Sequence, residues 1–249
     1  MKDKIKYVVG VVCLAVILVS GGYLYWYYLG SGETEESEKI REETKEQVRQ
    51  SEEQSKAEIP VDFEQLCQTN PDVYAWIEIP GTQISYPIVQ NLTQDQYYLD
   101  HAWDGEENPG GAIFTQSVNR KDFTDFNTVI YGHVMGDGTM FNGLHEYMDK
   151  SYWEDHQEVI IYTPEHKLTY RIFASVVYDD RHIMNSFHFQ EFSDRQEFLD
   201  SVYASRDLRS QFDESVQVTE SDRILTLSTC ISSEYSHRYL VEAVLVNEE

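Results

Sequence analysis

The chain has 249 residues, with 44 acidic side chains against 19 basic ones and a net charge of −25. That balance excludes nucleic acid as a partner, because phosphates demand clustered Lys and Arg, and it excludes a head that clings by charge to an anionic lipid surface. The length suffices for one good-sized domain plus appendages, and the three cysteines form no C-x-x-C pair and no zinc-type spacing with histidine.

Residues 7–29 carry no charged side chain, a stretch long enough to cross a bilayer as a helix. Lys2, Lys4 and Lys6 precede it with only Asp3 against them, so the positive-inside rule puts residues 1–6 in the cytoplasm and everything after the span outside the cell. Tyr23, Tyr25, Trp26, Tyr27 and Tyr28 crowd its outer end as an interfacial belt. A cleaved signal peptide is the rival, with Ser20, Gly21 and Gly22 as its small residues. The bulky aromatics that follow favour an uncleaved anchor. Residues 30–60 hold ten acidic and five basic side chains and almost nothing apolar. They cannot make a core and read as a solvated stalk, with pairs such as Glu35–Lys39 supporting a fraying helix. Residues 61–249 are then the functional head.

In the head, residues 61–67 read as a short lead-in helix broken at Asn70-Pro71. Residues 75–79 alternate and end at the turn signal Pro80-Gly81; residues 85–89 follow at hairpin distance, and Pro87 predicts an edge strand. Residues 97–99 are a short piece of undecided type. Residues 111–115, 128–131, 158–162 and 168–178 read as strands, and 141–148 as a short helix. Residues 192–208 give the clearest helix, with Ser193 and Gln196 as a capping box and Phe192, Phe198, Leu199 and Val202 on one face. Runs 223–230 and 238–246 close the pattern. Many short strands with regular turns predict a mainly β barrel or sandwich carrying an inserted helix.

Three strand ends carry chemistry. Cys230 closes the run 223–230, Arg238 opens the next, and His133 follows the strand-like run 127–130. If the last two runs are neighbours, thiol and guanidinium share one end of a sheet. A thiolate nucleophile, an imidazole acid/base and a forked cation suit acyl transfer. Spacing alone leaves each a plainer role: a buried thiol, a turn histidine, a surface ion-pair partner. His237, beside Arg238, competes for the base role. Cys67 and Cys230 could pair as a disulfide in an oxidising exterior, although a cysteine so bracketed reads as a free thiol.

The motifs Thr226-Leu227-Ser228-Thr229-Cys230 and Tyr131-Gly132-His133, followed by Arg238, resemble in this order those of the sortases, membrane-anchored cysteine transpeptidases of Gram-positive-type bacteria. The similarity spans roughly the whole head and is nearest to class B, which has an N-terminal anchor, a lead-in helix and a long helix between the sixth and seventh barrel strands. The resemblance implies an eight-stranded β-barrel with a groove at one end, and no metal or organic cofactor. Cys230 would attack the carbonyl of a Thr in the C-terminal sorting signal of a surface protein, His133 would protonate the leaving amine, and Arg238 would bind substrate carbonyls and the oxyanion. An amine of a peptidoglycan precursor of lipid II type would resolve the thioacyl-enzyme. Tyr131 and Ser228 match positions flanking the groove, Leu99 a groove leucine, and His182 with Ile183 a substrate-contacting Tyr-Ile pair whose Tyr is His here. Ile231 stands where several relatives carry an acidic residue. Competing readings are a hydrolytic surface cysteine peptidase, a pilin polymerase and a tethered binding protein.

Overall fold

The computed structural model of the protein describes Ser20, Gly21, Lys39 and residues 59–249 except Ser233 and Tyr235. The expected anchor and most of the stalk lie outside the described residues, among which no helix is long and apolar enough to cross a membrane. The head falls within a unit running from Ala57 to Glu249.

Helix α1 (Phe63–Thr69) leads in. Asp62 caps it by accepting the Gln65 N–H at 2.9 Å, and Phe63 is its buried residue. Nine strands follow: β1 (Val73–Glu78), β2 (Ser85–Val89), β3 (Ile113–Thr115), β4 (Asn127–Tyr131), β5 (Glu158–Tyr162), β6 (Lys167–Asp179), β7 (Gln211–Phe212), β8 (Ile224–Cys230) and β9 (His237–Glu248). Their order is β5-β1-β2-β3-β4-β8-β9-β6, and β6 pairs back to β5 to close a barrel of eight strands; β7 adds a short rung to β6. The β2–β3 and β4–β8 pairs are parallel and the rest antiparallel.

Side chains alternate across each strand. The inward set, including Ile77, Ile130, Leu227 and Val241, is fully buried and fills the barrel. The outward set of β4, β6, β8 and β9 is covered by a second cluster, in which Phe198, Leu199 and Val202 of helix α4 (Phe192–Tyr203) pack on Val129, Phe173, Val176 and Leu240. Both faces of β8 are therefore buried along most of its length.

The structure corrects several expectations. The inserted helix stops at Tyr203, and Leu208 is 99% exposed. No capping box forms: Glu191 is the cap position without a side-chain bond, Asp194 accepts the His188 N–H at 2.8 Å, and Gln196 donates to Asp200. Phe192 is exposed and lies under the Arg195 guanidinium at 4.6 Å. β2 is an interior strand, and Pro87 is tolerated because the short β3 meets β2 only from Ile88 onward. The expected short helix over Phe141–Met148 is present as a 3₁₀ helix followed by helix α2 (Lys150–Asp155), and the undecided Tyr97–Leu99 is a 3₁₀ turn.

Candidate active site

Register brings the chemistry together. Cys230 faces Arg238 on the last rung of the antiparallel β8–β9 pair. The parallel β4–β8 pair aligns Tyr131 with Ser228, so His133 stands one rung beyond, level with Cys230. The Gly132 N–H donates to the Ser228 carbonyl at 3.2 Å, and the Thr229 hydroxyl to the Gly132 carbonyl at 2.7 Å, so the two strands stay knitted to this end. Period-two alternation puts Tyr131 and His133, Ser228 and Cys230, and Arg238 and Leu240 on the outer face of the barrel. Cys230 is exposed between two buried neighbours, Thr229 and the core residue Ile231.

These side chains line one cleft of about 220 Å³. It contains Cys230, His133 and Arg238, and also each of Leu99, Tyr131, His182, Ile183 and Ser228. Tyr131 stacks on Phe114 at 5.4 Å, and its hydroxyl donates to Gln116 at 3.3 Å; burial pushes its phenol pKa up. His182 is exposed, its ring 6.4 Å from Tyr131, and it caps helix α3 (Ile183–Ser186). Ile183 is buried in the cluster beneath α4. His237 does not line the cleft; its Nδ1 lies 3.7 Å from Glu234. Cys67 and Cys230 are free thiols, and the Cys67 Sγ donates to the Val73 carbonyl at 3.4 Å.

Other groups hold this frame in ways the sequence does not announce. The His133 Nε2–H donates to the Leu99 carbonyl at 2.8 Å, which fixes the ring as a backbone acceptor does in many acid/base sites. Gly111 makes room for that contact: at φ +60°, a Cβ there would meet the Leu99 carbonyl at 2.9 Å and His133 Cδ2 at 3.1 Å. Gly132 is equally confined, since a Cβ would strike Ile113 and Phe141 at 2.6 Å. Arg238 Nη1 donates to the His237 carbonyl at 2.9 Å. In the turn between Cys230 and Arg238, the forked Arg209 guanidinium grips Glu234 at 2.7 and 3.2 Å and holds its carboxyl below the usual range. The adjacent glycines at 110 and 111 are a sequence signal that could have marked the Leu99 contact; Leu99 was singled out for its side chain, whereas its carbonyl makes the contact.

A barrel with a thiol, an imidazole and a guanidinium at the end of three adjacent strands is the framework of a cysteine acyltransferase. The sortase domain family matches residues 77–246. Sortase B of Listeria monocytogenes is 36% identical over 177 residues, covering 70% of this chain and 68% of the relative. Sortase B of Staphylococcus aureus is 33% identical over 188 residues, 74% of each chain. A solved Staphylococcus aureus sortase B–substrate complex superposes with a TM-score of 0.67 at 29% identity, over 86% of this chain and 99% of that one. The chain belongs to the sortase family, and these relatives set it in class B. It is an enzyme of cysteine-dependent transpeptidation, acting on sorting signals with a cell-wall amine as acceptor.

Proposed function

We propose that the chain cleaves a C-terminal sorting signal after a Thr residue and joins the shortened protein to a peptidoglycan precursor of lipid II type. The Cys230 sulfur attacks the Thr carbonyl carbon. The resulting oxyanion faces the Arg238 guanidinium, whose fixed fork suits it. Collapse breaks the C–N bond, and His133 gives its proton to the departing amine. An acceptor amine then attacks the thioester, loses a proton to His133 and expels the thiolate. Tyr131, Ser228, Leu99, His182 and Ile183 form the walls against which the peptide lies. The observation that carries this reading is the shared register of Cys230 and Arg238, with His133 level across the parallel pair. Residues 7–29 anchor the enzyme with its head outside the cell, a placement supported by the flanking lysines and the aromatic belt.

The test uses the detergent-solubilised full-length chain and a library of sorting peptides. Mass spectrometry is expected to trap a thioester on Cys230 that ends at a Thr, and an added amine is expected to convert it to an amide product. Cys230→Ala is expected to form no adduct. Release to water at the same rate with and without the amine would select a peptidase instead.

A further inference from the structure

His145 is a half-buried histidine that no step above uses. It lies in the 3₁₀ segment Phe141–Met148, whose Phe141, Leu144 and Tyr147 are fully buried. The segment is thus fixed to the barrel core by three large side chains. Phe141 packs beneath Gly132, and its N–H donates to the His133 carbonyl at 2.9 Å. Four residues on, His145 Nε2 lies 3.0 Å from the carbonyl of Cys230. A carbonyl only accepts, so this nitrogen carries the proton. Burial lowers the affinity of the ring for a second proton, which favours the neutral Nε2–H tautomer. The ring meets Tyr239 edge-on at 5.7 Å, and Tyr239 is the neighbour of Arg238 and the rung partner of Thr229.

One rigid segment therefore holds the backbone at His133 and at Cys230 and braces the residue beside Arg238. Cys230 sits where β8 ends, and terminal rungs fray unless a further bond holds them. Resting on the transpeptidase reading above, we infer that His145 is a positioning residue: it donates to the nucleophile's own carbonyl and, through the 3₁₀ segment, sets the sulfur in register with the imidazole.

Acylation depends steeply on such placement, and misplacement by about 1 Å is worth up to roughly a hundredfold in rate. The decisive variants are His145→Phe, which keeps the ring without the donor, and His145→Gln, whose amide nitrogen reaches the place of Nε2. Full-length wild type and variants are compared for acylation kcat, for KM on one sorting peptide and for melting temperature. His145→Phe is expected to keep its fold and KM and lose roughly ten- to a hundredfold in kcat, while His145→Gln recovers most of the loss. Acylation by His145→Phe at the wild-type rate, or no recovery in His145→Gln, would overturn the inference. If His145→Phe and His145→Leu both fail to fold, the side chain is only structural and the inference falls as well. Absence of acyl-enzyme in wild type would sink the transpeptidase reading and this one together, whereas an active wild type with an equally active His145→Phe sinks this one alone.

Discussion

In the proposed mechanism the acid/base is oriented by a peptide carbonyl. His133 donates to Leu99 at 2.8 Å, and the contact exists because Gly111 has no side chain. Gly111→Ala forces the Tyr98–Leu99 backbone away: its Cβ would lie 2.5 Å from the Tyr98 carbonyl, at a φ of +60° that L-residues rarely adopt. The variant is expected to lose about 1–3 kcal/mol of stability from strain and more than roughly tenfold in kcat, while Cys230 still reacts with iodoacetamide. Full turnover in Gly111→Ala would show that the Leu99 contact is dispensable. Arg238→Lys keeps the charge but loses the planar fork, so most acylation is expected to vanish in a single-turnover assay. At this scale the sequence marks Cys230, His133 and Arg238 as candidates because they sit at the ends of strand-like runs, and the structure brings all three to one cleft. The sequence does not show what orients them, because a carbonyl carries no letter in a sequence and His145 sits in a segment with no motif.

At the scale of elements, helix α4 turns the outer wall of the barrel into an interior. Phe198 is fully buried between it and the strands, against Tyr178 and Phe187. Phe198→Ala is expected to cost about 3–5 kcal/mol, read as a lower urea midpoint with an unchanged slope. A change under about 1 kcal/mol would mean that the helix does not hold this face. Strand existence was legible from alternation and turn residues: β2 and β5 match their expected limits, and β4, β6 and β8 lie within a residue of them at each end. The misreadings have separate causes. The capping box failed because the helix begins at Phe192 with Glu191 at the cap position, which puts Ser193 inside the first turn, and Pro87 escaped the edge because β3 is three residues long.

At the scale of the whole molecule, covering the barrel wall traps a carboxyl. Glu242 is fully buried on β9, and burial pushes its pKa up from 4.5 to about 8. Hydrogen bonding agrees with a neutral acid. The Thr226 hydroxyl lies 2.8 Å from Glu242 Oε2 and 3.0 Å from Asn127 Oδ1, yet it has one proton. A protonated Glu242 donating to Thr226 frees that proton for Asn127. Between the ordinary carboxylate pKa and about 8, the folded chain holds a proton that the unfolded chain has released. Stability contributed at low pH is therefore lost as pH rises through that window and levels off above it. Glu242→Gln is expected to flatten the slope, matching wild type near about pH 4 and exceeding it by up to a few kcal/mol near about pH 9. Parallel unfolding curves for the two proteins across that range would show that Glu242 ionises freely. A lone Glu within a β run reads as a solvent-facing residue; only the inserted helix, remote in sequence, reverses that.

The parallel seam between β4 and β8 has one more effect. The bond from Thr229 to Gly132 closes over 97 residues of chain, and contacts of such long span form late because the intervening loop must first be ordered. A ribosome therefore delivers the imidazole long before the sulfur, and the two become partners only when the last strands have docked. On the proposed mechanism, a copy that lacks its last strands holds no Cys230 and is expected to form no thioester, so the nucleophile enters the site in the same event that finishes the fold.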